Sequence, residues 1–130
     1  MKIRSKTTAA ILLVIYLAAI MYLCLMKPDD IPDAPLTIFG LPADKLVHFC
    51  MFAPFPVMSF TTFYQKGSSI TRQLVLIAIL AAVGTGFAYG TEQLQALTGY
   101  RAYEITDFYA DSIGLACGTA AVVTYILFKR

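Results

Sequence analysis

Four apolar runs, from about Thr8 to Met26, Lys45 to Tyr64, Leu74 to Gly90 and Thr106 to Phe128, take up most of this chain and leave only short polar stretches between them. Each is long enough for the roughly 17–25 residues with which a helix crosses a bilayer. The chain is therefore expected to be all-α, an integral membrane bundle of four transmembrane helices forming one domain over residues 1–130. An apolar share of 58% supports this, because soluble domains run nearer 45–50%. Lys2, Arg4 and Lys6 ahead of the first run resemble the start of a secretory signal. A signal's apolar region is about 7–15 residues and ends at a small-residue cleavage site, which Ala18-Ala19-Ile20-Met21 does not offer. The first run reads as an uncleaved span.

Between the first two runs, Lys27 to Asp44 holds four prolines, a glycine and four aspartates, and reads as a loop. Asp44 then stands where its carboxylate can cap a helix and meet the positive end of the helix dipole. Pro54 and Pro56 fall inside the second run. Each removes a backbone donor, so the second span is expected to kink near Ala53. In the third run Gly84, Gly86 and Gly90 supply small residues for close helix packing, and Gly86-x-x-x-Gly90 leaves a homodimer as an open expectation. Glu92 and Gln95 continue the period of that run before Thr98-Gly99-Tyr100 ends it.

The charges sort by side. Lys2, Arg4, Lys6, Lys66, Arg72, Lys129 and Arg130 fall on one side of a four-span arrangement, and Lys27, Lys45 and Arg101 on the other. The positive-inside rule then predicts that both termini are cytoplasmic. Asp29, Asp30, Asp33, Asp44, Glu92, Glu104, Asp107 and Asp111 all belong to the outer face or the outer half of a span. Short, dispersed basic segments without a recognition motif speak against a nucleic-acid partner. Cys24, Cys50 and Cys117 show no CxxC spacing, so neither a disulfide framework nor a zinc site is suggested, and buried small hydrophobes are expected.

The constraint on function is ionisable residues in apolar surroundings. A charge at the centre of a membrane helix costs about 2.5–3.5 kcal/mol on the insertion scale, and such residues usually pair and face other helices. Asp44, Lys45 and His48 are neighbours on one helical end by their spacings of three and four. Asp107 and Asp111 share a face that Gly114 and Gly118 continue. The folded topology should bring Asp44, His48, Glu92, Arg101, Asp107 and Asp111 to one depth. Each has a plainer role as well. Lys45 would snorkel to the interface, His48 would hydrogen-bond to a neighbour, and Arg101 would pair with Glu92 or Asp107 as polar glue. Tyr100, Tyr103 and Tyr109 would anchor at the interface.

The sequence Asp44-Lys45-x-x-His48, Glu92-x-x-Gln95, then Arg101 followed by Asp107, Asp111 and Gly114, resembles the VanZ-like family of small bacterial membrane proteins. That family is named for an accessory protein of glycopeptide-resistance clusters associated with teicoplanin resistance. The resemblance covers most of the chain from Asp44 to about Gly118. It departs at Asp111, where the family commonly has Asn: an amide donates and accepts, whereas an ionised carboxylate only accepts.

The resemblance implies a multi-pass protein of the bacterial cytoplasmic membrane, with an influence on teicoplanin susceptibility, and brings no settled reaction. The candidate ligand-binding set is Asp44, Lys45, His48, Glu92, Gln95, Arg101, Asp107 and Asp111. Arg101 and Lys45 would hold a phosphate or carboxylate, and the acidic residues would orient them and accept hydroxyl or amine protons. Membrane lipids, among them a lipid-linked wall precursor, are the expected partners. No cofactor and no metal centre is expected. Two alternatives stay open. One is a metal-assisted intramembrane hydrolase or transferase, against which stands the lack of G-x-S-x-G, H-E-x-x-H or a second histidine. The other is an accessory subunit that docks a partner through the loop from Lys27 to Asp44.

Overall fold

The computed structural model describes residues 5–26, 37–99 and 104–129. Five helices carry the fold: α1 (Lys6–Leu25), α2 (Ala43–Phe52), α3 (Pro54–Phe63), α4 (Ile70–Leu97) and α5 (Ile105–Phe128). Because α2 and α3 follow one another with only Ala53 between them, they make a single candidate span. The chain thus has four helices long and apolar enough to cross a membrane. At Ala53 the backbone keeps φ −57° and ψ −39°, an ordinary helical pair, and its N–H still reaches Phe49 O.

Starts are set by local chemistry. Ser69 Oγ accepts the Arg72 N–H, and the Gln73 side chain donates to Ser68 O at 2.8 Å, so α4 begins at Ile70, earlier than the apolar run alone indicates. α2 starts one residue before Asp44, with Pro42 at the cap position. Asp44 is therefore not the cap residue: it lies in the first turn, where the helix dipole still favours its charge. The described part of the preceding loop is not wholly irregular. Two short antiparallel strands, β1 (Thr37–Ile38) and β2 (Leu41–Pro42), pair across Phe39-Gly40. Both turn residues have positive φ, 52° and 76°, the conformation that lets a two-residue turn follow the strand twist.

Apolar side chains face outwards along every long helix. Leu12 and Ile15 on α1, Val75, Ile79 and Val83 on α4, and Ile113 and Leu127 on α5 are exposed. Such a surface suits lipid, and it leaves the interior to two apolar layers and one polar end. One layer is Ile20, Cys24, Phe52, Phe55, Ala88 and Leu115, and the other is Phe60, Ile77, Leu80, Val122 and Ile126. Of the cysteines only Cys24 is buried. Cys50 and Cys117 are exposed on outward helix faces, which corrects the expectation that all three fill the core. Gly86 and Gly90 also face open space, with nothing within 4 Å of a Cβ placed there.

At the far end from the polar cluster, Lys129 Nζ donates to Tyr64 Oη at 2.8 Å and sits 4.4 Å from the centre of its ring. This contact raises the lysine pKa and lowers that of the tyrosine.

Candidate functional site

The parallel run of α2 beside α5 builds the site. Gly114 and Gly118 have no Cβ, and one added at Gly114 would lie 2.5 Å from Phe49 O. At Gly118 it would overlap Ala53 O. Backbone therefore touches backbone, which only glycine permits at this separation. That contact sets a register in which Lys45 meets Asp107, His48 meets Asp111, Phe49 meets Gly114 and Ala53 meets Gly118. Both helix N-termini point the same way, and their positive dipole ends flank the carboxylates of Asp44 and Asp107 in the first turns.

α4 closes the cluster from the other side with its last turns. Glu92 is fully buried, and its Oε1 lies 3.8 Å from His48 Nδ1. His48 Nδ1 is 2.8 Å from Asp111 Oδ1, and His48 Nε2 is 3.6 Å from Asp107 Oδ2. His48, Glu92, Asp107 and Asp111 are all buried. Among the described residues, Asp111 Oδ2 has no hydrogen-bond donor.

Lys45 covers the cluster at its edge. Its ammonium donates to Asp44 at 2.9 Å, to Glu104 at 2.7 Å and to Asp107. An ammonium has three donors, so all of them are taken. At this half-exposed edge Lys45 joins a three-carboxylate ion cluster, because α5 brings Glu104 and Asp107 within reach.

Of the candidate set, Asp44, Lys45, His48, Glu92, Asp107 and Asp111 come together at one end of the bundle. Gln95 is buried on α4 one turn beyond Glu92, but its amide turns to α1 and donates to Cys24 O at 2.9 Å, holding the end of the first span. Arg101, Tyr100 and Tyr103 lie outside the described residues. Tyr109 is exposed, as an interfacial ring would be. Two contributors were missing from the candidate set. Glu104 completes the Lys45 cluster, and its signal was its place three residues before Asp107. Tyr16 donates to Met51 O beside the proline-interrupted turns, and its signal was a phenol placed mid-way along an aliphatic run.

Fold and site together define a small helical protein with four helices of membrane-crossing length and a buried histidine–carboxylate cluster at one end. No family model, curated protein or solved structure matches the chain.

Proposed function

We propose that this is a VanZ-like protein of the bacterial cytoplasmic membrane, a single multi-pass domain over residues 1–130 whose polar site faces outwards and binds the polar headgroup of an envelope lipid. A lipid-linked wall precursor is the class of headgroup that suits it, and an effect on teicoplanin susceptibility follows from the family resemblance. The basic residues of the termini and of the Gln65–Gln73 connection put both termini in the cytoplasm by the positive-inside rule. Pro54 and Pro56 give the second span its bend in this reading.

The observation that carries the proposal is the depth of the polar cluster: four ionisable side chains, His48, Glu92, Asp107 and Asp111, are buried in a bundle whose outer surface is apolar. Ionisable groups so placed are expensive and commonly mark a ligand site or pathway. Carboxylates accept the hydroxyl and amine hydrogens of a sugar or peptide headgroup. Lys45, already engaged by three carboxylates, organises that acidic wall, and the phosphate of the headgroup falls to Arg101 in this account.

The test is the lipid carried through purification. Protein extracted in mild detergent should bring down a phosphorylated polyprenyl lipid that Arg101→Ala and Asp107→Asn lose, with a parallel change in teicoplanin susceptibility of cells expressing them. Unchanged lipid content and unchanged susceptibility in both variants would refute the proposal.

A further inference from the structure

We infer that the cluster is also a divalent metal site, with His48, Glu92 and Asp107 as its ligands and Asp111 as the residue that orients the histidine. One ligand atom from each of the three lies within 4.8 Å of the others, and all three residues are buried. Ligands about 2.0–2.2 Å from one tetrahedral ion lie about 3.3–3.6 Å apart, so side-chain shifts of about an ångström close the set, with Glu92 Oε1 moving from beside Nδ1 towards Nε2.

The state of the imidazole is the second observation. Nδ1 faces Asp111 Oδ1 at 2.8 Å, and an ionised Asp111 can only accept, so in that state Nδ1–H donates to it. Nε2 is left with its lone pair towards Asp107 Oδ2, 3.6 Å away. That gap is long for a hydrogen bond and near the spacing of two ligands around one tetrahedral ion. Metal-binding histidines almost always give their other N–H to a carboxylate or carbonyl, which is the part Asp111 plays.

Charge is the third. Asp111 Oδ2 is buried with no donor among the described residues. With His48 protonated and Arg101 counted as if it lay at the site, Asp44, Glu92, Glu104, Asp107 and Asp111 still outnumber Lys45, His48 and Arg101 by two. A ligating His48 must be neutral, which raises the excess to three, and a divalent cation offsets two of those charges. The neighbouring carboxylate group of Asp44, Glu104 and Asp107 is no rival, because the Lys45 ammonium already sits among its oxygens. One imidazole nitrogen with carboxylate oxygens favours Zn²⁺ or Mn²⁺ over Ca²⁺ or Mg²⁺. A single histidine shows no ligand spacing along the chain, and its partners come from two other helices, α4 and α5, so only the ligand types and not their grouping are legible in the sequence. The site stands whether or not a lipid headgroup binds beside it.

The experiment uses full-length protein in detergent, stripped with a chelator and dialysed, then titrated with Zn²⁺ against a chromophoric chelator and separately with Co²⁺. The expected result is one saturable equivalent of Zn²⁺ and visible Co²⁺ bands of a four- or five-coordinate site. His48→Gln and Asp107→Asn should weaken Zn²⁺ binding at least about tenfold, and Asp111→Leu by about 10–100-fold, as loss of an orienting carboxylate does elsewhere. Asp111→Asn keeps an acceptor for Nδ1–H and should fall between Asp111→Leu and wild type. Wild-type protein that takes up no Zn²⁺ saturably below about 1 mM, or shows only the pale spectrum of hydrated Co²⁺, would overturn the inference even if the variants fail to fold. Folded His48→Gln and Asp107→Asn with wild-type affinity would overturn it too. Metal uptake without a copurified lipid would leave this site standing and the headgroup reading refuted.

Discussion

His48 Nδ1 lies 2.8 Å from Asp111 Oδ1, so the only histidine of the chain ties the second span to the fourth inside the bundle. Both side chains are buried, which makes the bond costly to break from one side. Asp111→Leu leaves the ring N–H buried without its acceptor, at about 1–3 kcal/mol. The thermal midpoint followed by circular dichroism in detergent should fall accordingly. Asp111→Asn should fall less, since an amide oxygen still accepts. Equal midpoints for Asp111→Leu and wild type would mean the bond contributes nothing.

Lys45 makes a second link between the same helices, and it should behave as a unit with Asp107. Lys45→Met removes the cation shared by Asp44, Glu104 and Asp107, with an expected loss of about 1.5–3 kcal/mol for charged hydrogen bonds. Asp107→Asn combined with Lys45→Met should cost less than the two singly, with a coupling of about 0.5–3 kcal/mol in a double-mutant cycle. Additive losses would show that the pair is not coupled.

The glycines divide into two groups with opposite expectations. Gly114→Ala and Gly118→Ala force backbone apart between α5 and the second span, an overpacking cost of about 1–3 kcal/mol. Gly86→Ala and Gly90→Ala meet nothing within 4 Å and should stay within about 0.5 kcal/mol of wild type as monomers. The same two variants test the homodimer expectation. A change in cross-linking yield or elution volume on their account would place a second copy on that face.

Orientation is open to reporter fusions. A green fluorescent protein joined after Arg130 should fluoresce, and alkaline phosphatase inserted at Gly40 should be active, as the distribution of Lys and Arg predicts. The reverse pattern would place the cluster on the cytoplasmic face and remove access to a wall precursor.

The four spans were legible because twenty-odd apolar residues in a row have few other fates. The pairing of Asp44, Lys45 and His48 on one helical end, and of Asp107, Asp111, Gly114 and Gly118 on another, follows from the helical period alone. What joined these two sets was not legible. Lys45 reaches Glu104 across 59 positions, and Gln95 turns to Cys24 O across 71. Such contacts depend on how closely two helices pass; for Lys45 and Glu104 the backbone approach of α5 to the second span at Gly114 and Gly118 decides it. The β1–β2 hairpin was hidden for a different reason. Its strands are two residues each, too short for an alternation to show, and Phe39 in its turn adopts a positive φ that the residue type does not announce. Cys50 and Cys117 were misplaced because in a membrane helix an apolar side chain is as well served outside as inside.

A headgroup held by the buried cluster would travel with the protein as a bound lipid. Native mass spectrometry of gently extracted wild-type protein beside Arg101→Ala and Asp107→Asn tests it most directly. Wild-type protein should carry one phosphorylated lipid adduct that both variants lose while their other lipid adducts persist. The same unselective lipid adducts on all three proteins would contradict it.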